Sequence, residues 1–199
     1  MNVCCNQNAF KSLLKQLTGV LLCMLLWNNT SLASDSASNS DLPLYSTVYD
    51  AKRDAFSDAR AAIKLAGESN RNVLIEIGGD WCTWCHKIDA FLTANPDVYQ
   101  ALHNNFVLLK VNVSDENDNA KFMASFPKVL GYPHMYVATT EGKVILSKDT
   151  AEFLDQSGVE YSRQAWLSFI DTFKAANNQA NLRQFELNKL NQRHTTTND

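Results

Sequence analysis

Residues 73–85 read VLIEIGGDWCTWC, and the fold turns on how that stretch divides. NVLIEIG (72–78) is a β-rich run of the kind expected of a buried strand. Gly78, Gly79 and Asp80 break it, and Cys82 and Cys85 follow at once, with His86 directly after them. CHKIDAFLTAN (85–95) then reads as a helix whose first turn contains the cysteines. The pair therefore falls at the carboxyl end of a strand, where open α/β sheets place their sites. Its chemistry has three readings. C-x-x-C is a thiol–disulfide centre, C-x-x-C-H is an attachment signal for c-type haem, and two cysteines near a histidine are a start on a metal clip.

Outward from this stretch the chain alternates helices and strands. DAKRDAFSDARAAIKLAGESN (50–70) carries an apolar stripe through Ala51, Ala55, Phe56, Ala59, Ala62, Ile63 and Ala66, with Gly67 suited to its end. NPDVYQALHNN (95–105) is a short helix with an early proline. FVLLKVNV (106–113) is a second buried strand, and NDNAKFMASF (117–126) another short helix. HMYVAT and KVILS flank the turn TEG as a hairpin. From Ser162 an amphipathic helix runs through Trp166, Phe169, Ile170 and Phe173. The expected class is α/β, a central mixed β-sheet flanked by helices in one layered domain.

The N-terminus reads as a separate element. Lys11 and Lys15 precede the apolar run LTGVLLCMLLW (17–27), no acid occurs before Asp35, and Ser31 and Ala33 are small residues placed for cleavage. This is the pattern of a secretory signal peptide, and the run is short for a membrane span. Cleavage after Ala33 would remove Cys4, Cys5 and Cys23 and leave only Cys82 and Cys85. A single pair is no disulfide framework, so in an exported chain it is expected to serve chemistry. The formal charge of −3 becomes more negative once the two lysines are lost. Nothing in that balance points to nucleic acid or to an anionic membrane surface.

The three chemistries make different demands. Haem attachment needs His86 as an axial ligand and a second ligand such as Met123, His134 or Met135. Two buried strands around the motif do not suit a small helical cytochrome. Zinc needs four ligands, and after the expected cleavage only two cysteines and scattered histidines are available. Copper held by Cys82, Cys85 and His86 is a further alternative. Disulfide exchange needs the least. A cysteine at a helix N-terminus meets unpaired N–H groups and the positive end of the macrodipole, which favour its thiolate.

These residues, taken in order, resemble the thioredoxin-like disulfide oxidoreductases, and the resemblance covers roughly residues 49–176. It rests on the strand followed by W-C-x-x-C, on Glu76 six residues before Cys82, on LKVNV with Lys110, on Pro133 in GYPH, and on the hairpin and helix that follow. The nearest likeness is to secreted members with a W-C-x-W-C centre. It implies that Cys82 is the exposed nucleophile and Cys85 the shielded resolving thiol. It further implies that Glu76 is a buried proton acceptor tuned by Lys110, and that Pro133 is a cis-proline beside the disulfide, with Tyr132 offering its backbone to substrate. Trp81 and Trp84 would rim the sulfurs for client chains, or Trp84 would pack on the domain. His86 would favour the thiolate when protonated or stand solvated on the helix. The Thr83-Trp84 dipeptide leaves the direction of electron flow open.

The expected organisation is a signal peptide over 1–33, a flexible leader over 34–48, a thioredoxin-like domain over 49–178 and a polar C-terminal tail over 179–199, in which part of the preceding helix continues. The expected function is exchange with protein thiol and disulfide clients and a redox partner protein in the periplasm or outside the cell. No cofactor beyond the Cys82–Cys85 disulfide is called for, and neither nucleic acid nor, after signal cleavage, membrane is an expected partner. The alternative is a binding or chaperone-like module, or a haem or metal carrier, on the same fold.

Overall fold

A computed structural model describes residues 46–196 of the chain. The expected signal peptide, its cleavage point and most of the leader lie outside the described residues. Four strands form one mixed sheet: β1 (Asn72–Gly78), β2 (Phe106–Asn112), β3 (His134–Ala138) and β4 (Val144–Asp149), in the order β2-β1-β3-β4. β1 lies parallel to β2 and antiparallel to β3, and β3 and β4 form the antiparallel hairpin. Every residue of β1 and β2 is buried, as runs of Val, Leu and Ile require when both faces of a sheet are covered.

The period-2 alternation of a strand sends successive side chains to opposite faces. Val73, Ile75 and Ile77 join Val107, Leu109 and Val111 in the core under α1 (Ala55–Ser69). Leu74 and Leu108 join the opposite core, with Ile88 and Leu92 of α2 (Thr83–Ala94) and Trp166, Phe169 and Ile170 further along the chain. Glu76 and Lys110 continue this second series and are register partners across β1 and β2. The alternation thus places one acid and one base side by side beneath α2. Full burial of an aliphatic side chain contributes about 1.5–3 kcal/mol, so the two cores hold the sheet firmly under both helices.

α1 is shorter at its start and longer at its end than the sequence reading. Residues 51–53 form a turn, and Asp54 caps the helix by accepting from the N–H groups of Phe56 and Ser57. Gly67 lies inside the helix, and Asn70, left-handed at φ 50°, ends it by donating its N–H to Ala66 O. Ala55, Ala62 and Ala66 are its buried face, small enough for close approach to the sheet.

α3 (Pro96–Asn105) has proline at its start and leads into β2. The next helix, α4 (Ala120–Met123), is a single turn rather than the longer segment expected, because Asn112, Asn117 and Asn119 spend their side chains on loop hydrogen bonds before it. A 3₁₀ turn (Thr150–Phe153) precedes α5 (Arg163–Thr172), whose cap Ser162 accepts from Ala165 N. Past Phe173 the region read as a polar tail is a separate helix, α6 (Asn178–Thr196). Asn72 fixes its start, donating from Nδ2 to Phe173 O and to Asn178 Oδ1 and accepting from Asn178 Nδ2. Among the described residues no helix is long and apolar enough to cross a membrane.

Candidate active site around the Cys82–Cys85 disulfide

Cys82 and Cys85 are joined by a disulfide at the start of α2. Cys82 is the N-cap residue, with extended backbone, and its Sγ accepts from Cys85 N at 3.2 Å. No acid occupies the first turn of α2, so nothing there opposes the partial positive charge of the helix end. The expected exposure of Cys82 needs correction. Cys82 is 2 % exposed and Cys85 0 %, because both pack in one buried cluster with Tyr49, against which Trp84 also lies.

On the strand that leads into the pair, Glu76 is 1 % exposed. Burial pushes its carboxyl above the ordinary glutamate range, while the charge of Lys110 and a hydrogen bond from Tyr49 pull it back. Tyr49 donates from Oη to Glu76 Oε1 at 2.6 Å. Lys110 Nζ lies 3.9 Å from the same oxygen and 2.6 Å from Asp89 Oδ1, and sits 5.0 Å above the Tyr49 ring. Asp89 is half-exposed, so the line from Tyr49 through Glu76 and Lys110 to Asp89 runs from the buried disulfide to the surface.

Gly78 makes this arrangement possible. A Cβ there would stand 2.5 Å from Cys85 Sγ and 2.7 Å from Tyr49 Oη. The sulfur and the hydroxyl therefore both lie against the open side of Gly78, where any side chain would displace them. Burial and the adjacent Glu76 hold the Tyr49 phenol far above its ordinary value, so it stays protonated.

The remaining candidates divide between rim and core. The Tyr132–Pro133 peptide bond is cis, Pro133 is buried, and its carbonyl accepts from Thr150 Oγ1 at 2.8 Å. Tyr132 is 39 % exposed and meets Trp81 edge to face, ring centroids 5.2 Å apart. Trp81 is 55 % exposed and is fixed by its Nε1 donating to Val113 O at 2.7 Å. Trp84 turns the other way. It is half-buried against Tyr161, with Lys87 Nζ 4.0 Å from its ring centre. His86 donates from Nε2 to Asp80 O at 2.7 Å. The His86 ring thus closes onto its own loop. Among the described residues no three His, Cys, Asp or Glu side chains converge as a metal site.

Two members of the network escaped the sequence reading. Asp89 follows Cys85 by four residues, so helical spacing alone places it on the same face. Tyr49 carries no such local signal, since it comes from the segment before α1.

Comparison with known proteins agrees with this geometry. Residues 54–139 match the family model for thioredoxin-like proteins. The thiol:disulfide interchange protein DsbD of Klebsiella pneumoniae subsp. pneumoniae is 26 % identical over 102 residues, 51 % of this chain and 17 % of that protein. DsbD of Salmonella typhimurium is 29 % identical over 91 residues, 46 % of this chain and 16 % of that one. The chain thus spans about a sixth of the length of these curated relatives. Among solved structures, a disulphide isomerase from Xylella fastidiosa Temecula1 superposes with a TM-score of 0.52 at 21 % identity, covering 62 % of this chain and 94 % of that one. At that identity the likeness speaks for the fold.

Proposed function

We propose that this chain, whose residues 54–139 match the family model for thioredoxin-like proteins, is an exported thiol–disulfide oxidoreductase acting on protein clients through Cys82 and Cys85. The observation that carries the reading is the disulfide at the N-terminus of α2, packed with Tyr49, which is bonded to the buried Glu76. The names of its partial relatives, thiol:disulfide interchange proteins, support the same reaction class.

In the reducing direction, the Cys82 thiolate attacks a client disulfide. One client sulfur joins Cys82, and the other leaves as a thiolate with the electron pair of the broken bond. Cys85, deprotonated by Glu76, then attacks Cys82 Sγ. The Cys82–Cys85 bond forms, and the second client sulfur leaves as a thiolate. The cysteine pair has lost two electrons and the client has gained them. Run backwards, the same steps oxidise a client, and a second protein resets the pair in either case. The disulfide is itself the redox group, and the scheme calls on no other cofactor.

Each candidate has a place in this scheme. Glu76 accepts the proton, because burial raises its affinity towards that of a working base. Lys110 keeps the carboxylate accessible to ionisation. Trp81 and Tyr132 offer exposed aromatic surface to the client chain, and Pro133 shapes the loop against which that chain extends. Trp84 backs the sulfurs from the core side. The exported location rests on the signal-like residues 1–33, with the leader 34–48 preceding the domain.

The test is trapping. Cys85→Ala accumulates mixed disulfides between Cys82 and client proteins on non-reducing gels after alkylation at harvest, and Cys82→Ala does not. Equal trapping by both variants overturns the assigned polarity. A wild type that neither reduces nor oxidises insulin disulfides overturns the reaction class, and a Soret band surviving denaturation would put covalent haem in its place.

A further inference from the structure

The segment before α1 is tied down on both sides of Tyr49. Lys110 N, on β2, donates to Ser46 O at 3.0 Å, and Ser46 Oγ donates to Lys110 O at 3.4 Å. Beyond the tyrosine, Asn117 Nδ2 donates to Ala51 O at 2.8 Å. These bonds spread a strap over the acid and the disulfide, and the matched family region begins only at residue 54. Tyr49 is 8 % exposed, and its hydroxyl lies near two groups that the exchange reaction must connect. One is Glu76 Oε1, 2.6 Å away. The other, Cys85 Sγ, belongs to the same buried cluster as the tyrosine, and both sulfur and hydroxyl lie against the bare backbone of Gly78.

We propose that the Tyr49 hydroxyl is the proton relay between the resolving thiol and Glu76, and that the strap positions the acid for resolution of mixed disulfides. The proposal rests on the oxidoreductase reading above. In the mixed-disulfide intermediate the Cys85 S–H proton passes to Tyr49 Oη while the Tyr49 hydroxyl proton passes to Glu76 Oε1. The phenol ends neutral, as its burial demands. The Cys85 thiolate attacks Cys82 Sγ, the Cys82–Cys85 bond forms, and the client sulfur leaves as a thiolate. One proton has moved from thiol to carboxylate, and two electrons from the cysteine pair to the client. Tyr49 takes no part in the earlier attack by Cys82.

The charged and titratable groups around this path fix the expected pH response. Glu76 comes from β1, Lys110 from β2, Asp89 from α2 and Asp80 from the loop before it, and Tyr161 feels the charge of the acid. Lys110 and the Tyr49 hydroxyl favour the Glu76 carboxylate, whereas burial and Asp89 disfavour it. Removing the hydroxyl therefore raises the pH at which Glu76 becomes an acceptor.

The experiment compares wild type, Tyr49→Phe, Glu76→Gln and the double variant in single-turnover exchange with a peptide disulfide between pH 5 and 9, following formation and resolution of the mixed disulfide separately. Phenylalanine keeps the ring over the sulfurs. Tyr49→Phe is expected to slow resolution about tenfold at pH 7, the size of a lost hydrogen bond to a charged group. It shifts the midpoint of the resolution profile upward and leaves the formation step unchanged. The double variant is no slower than Glu76→Gln alone, because both substitutions break one path. Unchanged resolution, equal slowing of both steps, or additive losses in the double variant each overturn the relay. A wild type that exchanges with no disulfide at any pH overturns the oxidoreductase reading and the relay with it, an outcome distinct from the other three.

Discussion

Gly78→Ala tests the packing of the site with the smallest possible perturbation, one methyl group. The new carbon would stand 2.5 Å from Cys85 Sγ, 2.7 Å from Tyr49 Oη and 3.0 Å from Tyr49 Cζ, where non-bonded carbons rest at about 3.5–4.0 Å. The sulfur is held in the first turn of α2 by its disulfide, so the tyrosine is the group that must give way. Forcing extra volume into a filled core costs about 1–3 kcal/mol. Displacing Tyr49 also weakens its hydrogen bond to the Glu76 carboxylate, for which about 1.5–3 kcal/mol is typical. Replacing glycine in a strand returns roughly 0.5–1 kcal/mol. The oxidised variant should then lose about 2–4 kcal/mol in urea unfolding at pH 7, a large share of the 5–15 kcal/mol typical of a domain. Two other glycines calibrate the result. Gly67 lies inside α1 with nothing within 4 Å of a built Cβ, so Gly67→Ala should stabilise by about 0.5–1 kcal/mol. A Cβ on Gly131 meets only Asp149 Oδ2, at 3.9 Å, so Gly131→Ala should stay within about 0.5 kcal/mol of wild type. If Gly78→Ala behaves like Gly131→Ala, Tyr49 does not lie against Cys85, and the reasoning about the site fails.

Two further predictions concern the acid and the N-terminus. Glu76 titrates above its ordinary value in the folded chain, so it supports stability below about pH 4.5 and loses that contribution as pH climbs through the raised value; urea midpoints of wild type should fall relative to Glu76→Gln across that window, and parallel curves would show that the carboxyl is solvated. Protein recovered from the exported fraction should begin at Ser34, since Ser31 and Ala33 satisfy the small-residue cleavage pattern; N-terminal sequencing that returns Met1 from membranes would replace export with anchoring.

The sequence was most legible where one local signal decides the outcome. NVLIEIG and FVLLKVNV have no other home than a covered sheet, and the strands match them residue for residue save for Val113, which lies just beyond the second. Boundaries were less legible where several residues compete. Asp50 and Asp54 both suit a helix start, and only the carboxylate of Asp54 finds two free N–H groups in the helix's first turn. α6 shows another limit. Its Asn- and Gln-rich sequence has no strong apolar stripe, and its start is fixed by Asn72, more than a hundred residues away in the chain. Cys82 was placed correctly at the helix end, but its burial depends on Tyr49 in a distant strap, and no window around the motif contains that information.

The site itself was legible as a violation. Residues 74, 76 and 78 on β1 and 108 and 110 on β2 all face α2, so the strand period calls for apolar side chains at 76 and 110. The chain instead puts Glu76 and Lys110 there, opposite one another in register and each almost wholly buried. A leucine at either position would satisfy the core, and a buried ion pair commonly contributes less to stability than apolar residues of similar volume. The pattern is broken on one face, on two adjacent strands, and at the level of the disulfide. A local rule broken without gain in stability points to chemistry. Tyr49 shows the same kind of violation only in the folded chain. Its hydroxyl is buried beside that broken pair, and a phenylalanine would fill the space as well. The oxygen is bonded to Glu76 and lies, with the Cys85 sulfur, against the open side of Gly78, which is what the proposed relay requires.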